Sequence, residues 1–559
     1  MARDLAQDDM VFLALGGVGE IGMNVYLYGV GPEDDRKWLM VDLGVTFPDD
    51  REPGVDLVLP DIRFIEEERK NLVGILLTHA HEDHFGAIPY LWPRLRVPVY
   101  ATRFTTEMLK SKLHEHAWKN EVPLNVVAAG ARLNIGPFDV ELVNMAHSIP
   151  ETSGVVFRHK GGVVFHTADW KLDPEPGMGA GTDITKLQTI GTEGIDVMVC
   201  DSTNVLVEGT GGSEADVERG LSMLINGAKG RVAITTFASN AARLLAVAKA
   251  AKAAGRELVL AGRAMHRVVD AARESSIWPS GFEFLTEDEY GYLPAEKVVL
   301  LCTGSQGEPR AALARIAEDE HPRITLSRGD MVIFSSRTIP GNENAVLRVQ
   351  NNLANQGVET ITGDDATPVH TSGHPRRGEL QKMYGWTKPK VLIPVHGEAR
   401  HLEEHVRFAG ENGLKALGGV RNGSIVRLLP GPPEVIDDAP IGRLYRDGHL
   451  TVPSEEGPVQ ERRKLAHVGA VTVSLVLRRD GEMAADPQCV MTGVPEFDED
   501  GEHFEDIVEK AIHGALTSIP RARRKDTAMV QEAVRRSVRA AVNAAWGKKT
   551  VCSVMVTVV

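Results

Sequence analysis

The sequence has few cysteines and lacks any long apolar run. Its four cysteines, at 200, 302, 489 and 552, lie far apart without a CxxC pair, which argues against a disulfide framework or a zinc ribbon and suits reduced thiols. No apolar run approaches the roughly 18 residues that a membrane helix needs. The N-terminal stretch MARDLAQDDM has acids where a signal peptide has a basic segment and an apolar stretch. We therefore expect a soluble, cytoplasmic protein that does not bind a membrane.

Positive charge is also in deficit, because the formal net charge at pH 7 is −15. This balance argues against a protein that coats nucleic acid by bulk charge, although it permits a local basic groove or bound divalent cations. The composition is otherwise that of an ordinary globular protein, with 43% hydrophobic and 25% charged residues. A chain of 559 residues exceeds the size at which a single core stops growing, so we expect two or more domains.

The apolar pattern changes along the chain. From 11 to about 206, short apolar runs separated by turns predict strands in sheets that pack face to face. From about 214 to 350, helical and strand-like units alternate, as in AARLLAVAKAAKAAG followed by RELVLAG, which is typical of a parallel sheet. The first pattern resumes near VLIPVHGE. The alternating region is therefore predicted to be an insertion within the first domain.

The last part of the chain predicts a separate small domain. Proline and charge are frequent from 430 to 463 and predict a linker. An Asp480-Gly481 hairpin turn, helical patterns at 504–517 and 527–546, and a final strand follow. The predicted boundaries are 1–210 and 351–440 for the first domain, 211–350 for the insertion, 441–463 for the linker and 464–559 for the C-terminal α/β domain.

The stretch THAHEDHFG at 78–86 places three histidines and two acids within six residues, directly after the strand-like VGILL. Imidazole nitrogen and carboxylate oxygen are ligands that suit zinc and manganese. A buried strand rarely ends in unpaired His and Asp, so a chance polar loop is the weaker explanation. Four candidate ligands exceed what one open catalytic site takes from a single loop, which predicts two metals. The candidates are His79, His81, Asp83 and His84.

Two adjacent metals need further ligands, preferably with a carboxylate that can bridge them. Three other strand-like runs end in such residues: His147 in NMAHSIP, Asp169 in VVFHTADWK and His396 in VLIPVHGE. Each alone would be an ordinary loop residue. Together with the loop at 79–84 they form a candidate ligand set.

This arrangement of an HxHxDH loop followed by a His, an Asp and a last His resembles the metallo-β-lactamase superfamily, a four-layer αββα sandwich with a two-metal site. The resemblance implies two divalent ions, with zinc as the default and manganese or magnesium as alternatives. Asp42 in LMVDLG matches the superfamily's first motif and is implied to orient a ligand histidine. The implied ligands are His79, His81 and His147 for one ion, Asp83, His84 and His396 for the other, and Asp169 as the bridge.

Three further motifs, CDSTN at 200–204, HTSGHP at 370–375 and VHGE at 395–398, resemble those of the β-CASP nucleases, with Asp201, His374 and His396 as the matching residues. In that group a His at the last motif goes with RNA processing, whereas the DNA-directed branch tends to carry Val. GGVGEIGMN, CTGSQGEP and SSRTIPGNE extend the likeness to the ribonuclease J family over essentially the whole chain. Ala80 and Ala168 stand where glycine is common. The implied fold is α/β: a metallo-β-lactamase αββα sandwich with an inserted β-CASP domain and a small C-terminal α/β domain.

The family resemblance implies a two-metal ribonuclease that acts on single-stranded RNA in RNA maturation and mRNA decay. It would degrade RNA 5′ to 3′ from a monophosphorylated end, with endonucleolytic cuts in addition. His374 is expected to protonate the leaving 3′ oxygen, with Asp201 orienting it or a metal ligand. A homodimer or homotetramer through the C-terminal domain and partners in RNA-degradation complexes are also implied. The residues expected to bind the 5′ phosphate are Ser335, Ser336, His370, Ser372 and His374.

Other functions remain as alternatives. A DNA-directed β-CASP nuclease is disfavoured by His396, and a small-molecule metallohydrolase of the thioesterase or lactonase kind is disfavoured by the insertion and HTSGHP. An RNA-binding scaffold without catalysis is disfavoured because every expected ligand is present. The sequence leaves open the metal used in the cell, the balance of exonuclease to endonuclease activity, the cleavage preference and the choice between dimer and tetramer.

Several other motifs are predicted to be structural. GVGEIG at 17–22 matches a dinucleotide-binding fingerprint, but a strand-like run and not a helix follows it. HLEEH at 401–405 matches an inverted zincin motif, yet a solvated helix face is the preferred explanation. His114 and His116 are expected at the surface. The basic run at 521–525 is interpreted as a helix face or subunit interface, whereas Arg376 and Arg377 are better placed to contact RNA phosphates.

Overall fold

The computed structural model describes residues 9–363 and 367–559. It divides into two compact units, Met1–Thr46 with Val58–Leu444 and Phe47–Leu57 with Tyr445–Val559. Residues 1–8 and 364–366 lie outside the described part. Residues 1–8 include most of the stretch MARDLAQDDM, which is predicted not to be a signal peptide. Among the described residues, no helix is both long and apolar enough to cross a membrane.

The strands and helices follow one another in a mixed α/β order. The strands are β1 (Met10–Gly16), β2 (Val18–Gly19), β3 (Val25–Val30), β4 (Lys37–Val41), β5 (Leu57–Pro60), β6 (Leu72–Leu76), β7 (Val99–Ala101), β8 (Leu124–Val126), β9 (Arg132–Ile135), β10 (Phe138–Asn144), β11 (Ser153–His159), β12 (Gly162–His166), β13 (Val197–Asp201), β14 (Val232–Thr235), β15 (Glu257–Ala261), β16 (Val298–Cys302), β17 (Met331–Phe334), β18 (Glu359–Ile361), β19 (Val391–Val395), β20 (Gly397–Glu398), β21 (Lys415–Ala416), β22 (Ser424–Leu429), β23 (Glu434–Asp438), β24 (Arg443–Asp447), β25 (Leu450–Pro453), β26 (Ala470–Leu477), β27 (Gln488–Thr492) and β28 (Val551–Val558). The α-helices are α1 (Arg63–Glu67), α2 (Glu82–Phe85), α3 (Ile88–Leu95), α4 (Arg103–Leu113), α5 (Ile184–Glu193), α6 (Glu214–Gly227), α7 (Ala241–Ala253), α8 (Arg263–Glu274), α9 (Ala312–Ala317), α10 (Glu343–Asn355), α11 (Arg377–Thr387), α12 (Ala399–Glu411), α13 (Gly457–Val468), α14 (Phe504–Ser518) and α15 (Thr527–Trp546).

The first unit is built on two sheets that pack face to face. One has the strand order β23-β22-β1-β3-β4-β6-β7-β8, and the other has the order β21-β19-β13-β12-β11-β10-β9. Strands of both sheets contribute to one buried core, in which the Tyr28 ring of β3 stacks on Phe157 of β11 with centroids 4.3 Å apart. Leu187 of α5, Leu380 of α11 and Phe408 of α12 pack on the outer face of the second sheet. The predicted metallo-β-lactamase sandwich is confirmed.

The inserted region forms a parallel sheet of its own, as the alternating pattern predicts. Its strand order is β15-β16-β14-β17-β18, and every neighbouring pair is parallel. Val259, Leu300 and Val332 lie in its core. The edge strand β18 lies beyond the predicted boundary at 350, because its short ETI segment carries too few apolar residues to be recognised as part of the sheet.

The C-terminal region folds as the sequence predicts. Alternate residues of β26 are buried and pack with α14 and α15 in one core, and the strand order is β27-β26-β28. The Asp480-Gly481 turn is present: Gly481 has a φ of 87° and its N–H donates to the Arg478 carbonyl at 2.8 Å. Both predicted helices are present, with bounds within one residue of the prediction.

The segment predicted as a linker, 441–463, is folded, so the interpretation of its composition is wrong. It contains β24, β25 and the start of α13. Pro458 lies in the first turn of α13, where a missing N–H removes no helical hydrogen bond. Pro458 therefore marks the start of a helix, and Pro453 ends β25. The predicted domain boundaries otherwise stay a prediction.

Candidate metal centre

The candidate ligands lie where strands of both sheets end. Asp42 follows β4 and the loop from Thr78 to His84 follows β6, and both strands belong to the first sheet. In the second sheet, the corresponding residues follow or end β10, β12, β13 and β19. These four strands run in the same direction, so their carboxyl ends share one edge. The residues contributed there are His147, Asp169, Asp201 and His396.

One group of ligand atoms comes from His79, His81, His147 and Asp169, with all atoms within 4.8 Å of one another. The Nδ1 atom of His81 lies 3.1 Å from His79 Nε2 and 3.0 Å from His147 Nε2. Asp169 Oδ2 lies 3.7 Å from His79 Nε2 and 3.6 Å from His147 Nε2. Tetrahedral zinc with bonds of about 2.0 to 2.1 Å places its ligands roughly 3.3 Å apart. The spacing of this group suits such an ion.

The protonation of these histidines also suits metal binding. Burial lowers the pKa of His79 and of His147 well below the ordinary value, and it lowers the pKa of His81 to about 4. Metal ligation requires the neutral imidazole, which has a free nitrogen lone pair. At neutral pH all three rings are therefore in the state that binds a cation.

A second group consists of Asp83, His84, Asp169 and His396. His84 Nε2 lies 3.2 Å from Asp169 Oδ2 and 3.6 Å from Asp83 Oδ2. His396 Nδ1 lies 3.1 Å from Asp169 Oδ1, and its Nε2 lies 3.3 Å from Asp83 Oδ2. Asp169 therefore belongs to both groups and contacts the second group with both of its oxygens.

Positive charge is required in this second group. Burial by itself lowers the pKa of His84 and His396, but the neighbouring carboxylates, Asp169 above all, outweigh it and raise both pKa values well above the ordinary range. Despite the 3.3 Å contact, His396 Nε2 is buried without hydrogen-bond geometry to any described residue. A divalent cation would satisfy both this nitrogen and the surrounding carboxylates.

Hydrogen bonds at the far side of the rings fix which nitrogen faces the site. Asp42, fully buried, accepts from His84 Nδ1 at 2.6 Å and from the Thr78 hydroxyl at 2.7 Å and N–H at 2.8 Å. The Thr78 hydroxyl in turn accepts from His79 Nδ1 at 2.9 Å. His147 Nδ1 donates to the Gly373 carbonyl at 2.6 Å. In all three histidines Nε2 is thereby left for the site.

The backbone is strained at three of the strand ends. Asp42, Ala168 and His396 have φ values of 64°, 51° and 52°, in the left-handed region that costs an L-residue roughly 1–2 kcal/mol. Such residues cluster at functional sites because the surrounding structure holds them there. The left-handed turn at Ala168 immediately precedes Asp169, the residue that the two groups share.

Asp201 and His374 form a pair beside the two groups. Asp201 Oδ2 accepts from His374 Nδ1 at 2.8 Å, and its Oδ1 accepts from the Thr203 N–H at 2.8 Å and hydroxyl at 2.7 Å. The His374 ring lies 5.1 Å from that of His147. Burial lowers the pKa of His374, but Asp201 and Asp169 outweigh it, so the pKa is raised above its ordinary value. Asp169, Asp201, His374 and His396 also meet the spacing of a metal site, but Asp201 already occupies His374 Nδ1.

The residues expected to bind a 5′ phosphate differ in what they offer. Ser335 is fully buried, and its hydroxyl donates to the Val369 carbonyl at 2.6 Å, so it has no hydrogen left for a ligand. The Ser372 hydroxyl accepts from Asn204 and from the His374 N–H, which leaves its hydrogen free to donate. His370 Nδ1 is buried without a hydrogen-bond partner in the described ranges. Burial, aided by positively charged neighbours, lowers the pKa of His370 to about 3, so the ring is neutral.

Other sequence-based expectations have mixed outcomes. The HLEEH histidines are not on a solvated face: His401 is 6% exposed and His405 is fully buried, hydrogen-bonded to Ser202 Oγ and Tyr384 Oη. That prediction is wrong because the polar pattern of α12 does not reveal which face packs on the sheet. Arg377 pairs with Glu208 and Glu404 and is not free for RNA.

The expectations for GVGEIG and the paired surface histidines fare better. Strand β2 lies within GVGEIG and strand β3 follows it, so the motif does not begin a helix, as expected. His114 is exposed and His116 is partly buried.

Sequence reasoning also missed residues that support the centre. The Asn24 side-chain amide lies 3.0 Å from His84 Nε2 and 3.3 Å from Asp83 Oδ2, and Tyr26 Oη donates to Asn24 Oδ1 at 2.7 Å. The only signal for Asn24 is its place at the end of GGVGEIGMN. Thr78 had no signal beyond its position next to His79.

Four family models match the chain. They are described as the metallo-beta-lactamase superfamily, at residues 18–263; the ribonuclease J beta-CASP domain, at 229–353; a Zn-dependent metallo-hydrolase RNA specificity domain, at 366–417; and the ribonuclease J C-terminal domain, at 457–559. Together they cover both parts of the sandwich, the insertion and the C-terminal region.

Similar proteins agree with these models. A ribonuclease J of Sinorhizobium meliloti is 54% identical, over 99% of this chain and 98% of the relative. Ribonuclease J of Corynebacterium glutamicum is 37% identical, over 98% of this chain and 75% of the relative. A solved structure from Enterococcus faecalis, of unknown function, matches 77% of this chain and 100% of its own with 15% identity and a TM-score of 0.50, which supports the fold alone. The chain belongs to the ribonuclease J family.

Proposed function

We propose that this protein is a metal-dependent ribonuclease that degrades or processes single-stranded RNA 5′ to 3′ from a monophosphorylated end and also makes internal cuts. The observation that carries the proposal is the convergence of six candidate ligands, from both sheets, around a seventh, Asp169. The Asp201–His374 pair adjoins them. Membership of the ribonuclease J family supports RNA as the substrate, in RNA maturation and mRNA decay.

Two divalent ions, zinc first and manganese or magnesium next, are the proposed cofactors. Both groups fit such ions in spacing; the neutral histidines of the first group also fit in protonation, and the carboxylates of the second group call for positive charge. Two such metal ions, when bound, would lower the pKa of a water molecule and neutralise charge on the scissile phosphate. Asp42 would orient His84. The proposed ligands are His79, His81 and His147 for one ion, Asp83, His84 and His396 for the other, and Asp169 for both.

His374 is the proposed proton donor to the leaving 3′ oxygen. Asp201 and Asp169 raise its pKa above the ordinary value, which favours the protonated ring that a general acid requires. Because Nδ1 donates to Asp201, Nε2 is the nitrogen left to deliver the proton. The products would be a nucleotide with a 5′ phosphate and a shortened RNA.

The proposed 5′-monophosphate pocket consists of Ser335, Ser336, His370, Ser372 and His374, and its members other than His374 offer hydrogen bonds and no charge. Ser372 has a free hydroxyl hydrogen, His370 has a buried ring nitrogen without a described partner, and Ser336 adjoins them in the proposal. A neutral imidazole donates from one ring nitrogen only, so His370 would donate to a phosphate oxygen in the tautomer that carries its hydrogen on Nδ1. The Ser335 hydroxyl donates to the Val369 carbonyl, so Ser335 would act only by positioning its neighbour Ser336.

The wider setting of the enzyme is also proposed. Val490 and Met555 are 66% and 54% exposed on the C-terminal sheet, which supports a homodimer or homotetramer through this region. A cytoplasmic location and partners in RNA degradation complete the proposal. His396 favours RNA over DNA as the substrate, and the inserted sheet disfavours a small-molecule metallohydrolase.

The test is product analysis on a 5′-monophosphorylated single-stranded RNA and a DNA of the same sequence. The metal-loaded wild type is compared with His81→Ala and with His114→Ala, a control at an exposed histidine. Mononucleotides from RNA alone, lost only in His81→Ala, are expected. Degradation of DNA only, or of neither substrate, would refute the proposal.

A further inference from the structure

Four buried charges form a chain between the metal centre and the inserted sheet. Lys171 Nζ lies 2.7 Å from Asp173 Oδ2 and 3.9 Å from Glu214 Oε1. Arg243 donates from Nε and Nη2 to the two oxygens of Glu214, each at 3.0 Å. Each of the four residues is at most 5% exposed. Two positive and two negative charges thus balance without help from solvent.

One end of this chain is fixed to the metal centre. Lys171 lies two residues after Asp169, and its N–H donates to the carbonyl of Ala146, the neighbour of His147, at 2.8 Å. Asp173 accepts from the Glu214 N–H at 2.9 Å, which holds the first turn of α6. The network therefore starts from the same backbone that presents Asp169 and His147.

The other end is fixed to the proposed phosphate pocket. Arg243 Nη1 donates to the Ser335 carbonyl at 2.9 Å, to the Ser335 hydroxyl at 2.6 Å and to the Val369 carbonyl at 3.2 Å. The residues that follow these two are Ser336 and His370, on two different segments of the pocket. A single guanidinium thus holds both segments at a set separation.

Burying ion pairs rarely stabilises a protein more than apolar side chains of the same size would, whereas it can fix one arrangement among several. We infer that Arg243, held by Glu214, is a positioning residue that sets the distance between the 5′-phosphate pocket and the metal centre. It thereby determines how strongly a 5′ monophosphate promotes cleavage at the first internucleotide bond. This inference rests on the proposed recognition of the 5′ end.

The test compares 5′-monophosphorylated and 5′-hydroxyl RNA of one sequence in wild type, Arg243→Lys and Arg219→Lys. Lysine keeps the charge but not the planar set of donors. Arg219, also in the insertion but with a 67% exposed side chain, is the matched control. Arg243→Lys should lower the preference for 5′-monophosphorylated over 5′-hydroxyl RNA by about tenfold or more, through a higher KM for the monophosphorylated RNA. The kcat on 5′-hydroxyl RNA and the amount of bound metal should stay within about twofold of wild type. Arg219→Lys should behave as wild type.

A second variant covers the case in which Arg243→Lys does not fold. Glu214→Met with Arg243→Met removes both charges together and avoids an unpaired one. It should fold and also lose the preference. The inference is overturned if a folded variant keeps the wild-type preference for the 5′ monophosphate. It is also overturned if both variants misfold, or if activity falls equally on both RNAs and bound metal is lost. A wild type indifferent to the 5′ end would instead refute the proposed end recognition on which the inference rests.

Discussion

Asp42→Asn should weaken the binding of one metal ion and not of the other. Asp42 Oδ2 accepts from two donors, His84 Nδ1 and the Thr78 hydroxyl. Asparagine has one neutral acceptor oxygen where Asp42 has two charged ones, so it holds the Nδ1 proton of His84 less firmly and makes Nε2, the nitrogen that faces the site, a poorer ligand. Loss of such a supporting group weakens metal binding by about 10- to 100-fold, or roughly 1.4–2.8 kcal/mol. The affected ion is the one assigned to Asp83, His84 and His396.

Thr78→Val should have the complementary effect. Valine keeps the shape of threonine but removes the hydroxyl that accepts from His79 Nδ1 at 2.9 Å. His79 is a proposed ligand of the other ion, whose binding should weaken by about tenfold because the ring loses its orienting partner.

The assay for both variants is competitive titration of the metal-free protein with a chromophoric chelator, which resolves two binding constants. Circular dichroism establishes that each variant is folded. The reasoning is refuted if Asp42→Asn weakens both ions equally, or if Thr78→Val acts mainly on the ion bound by His84.

His374→Gln should lower kcat on RNA by about 10²- to 10⁴-fold with unchanged bound metal, measured by elemental analysis. Asp201→Asn removes the charge that most raises the pKa of His374; since the acid must be protonated, the fall of kcat at high pH should begin at lower pH, and an unshifted profile would contradict the assignment. Ala168→Gly should raise the stability of the metal-free protein in urea by about 1 kcal/mol, since glycine tolerates the φ of 51°. Burial lowers the pKa of His405 to about 4, so between pH 7.5 and pH 5 the unfolded chain takes up a proton at this residue and the folded chain does not. The free energy of unfolding, measured in urea, should therefore fall by about 2 kcal/mol more in wild type than in His405→Gln over this pH range.

The clustering of the candidate ligands could be predicted from sequence because residue types that bind metals recur at one kind of position. Histidines and acids stand directly after apolar runs, and those runs are strands whose ends meet at one edge. The periodicity of 2 in β26 and the helical period in α14 and α15 likewise predict the C-terminal elements closely.

What could not be predicted depends on partners distant in sequence. Thr78 and Asn24 have ordinary polar side chains, and only the fold brings them against His79 and His84. Arg243 reads as part of an alanine-rich helix, although it is fully buried against Glu214. Burial of His405 likewise depends on Tyr384, which no local pattern of α12 contains.

The division of the candidate ligands between the two sheets makes free metal concentration a variable of folding. An ion held from both sides joins the layers of the sandwich and binds only when they are packed together. Each tenfold rise in free metal above the dissociation constant then adds about 1.4 kcal/mol of stability per ion. Chelation should therefore expose the sandwich to proteases as well as stop catalysis. Metal supply would set how long the enzyme persists in addition to how fast it works.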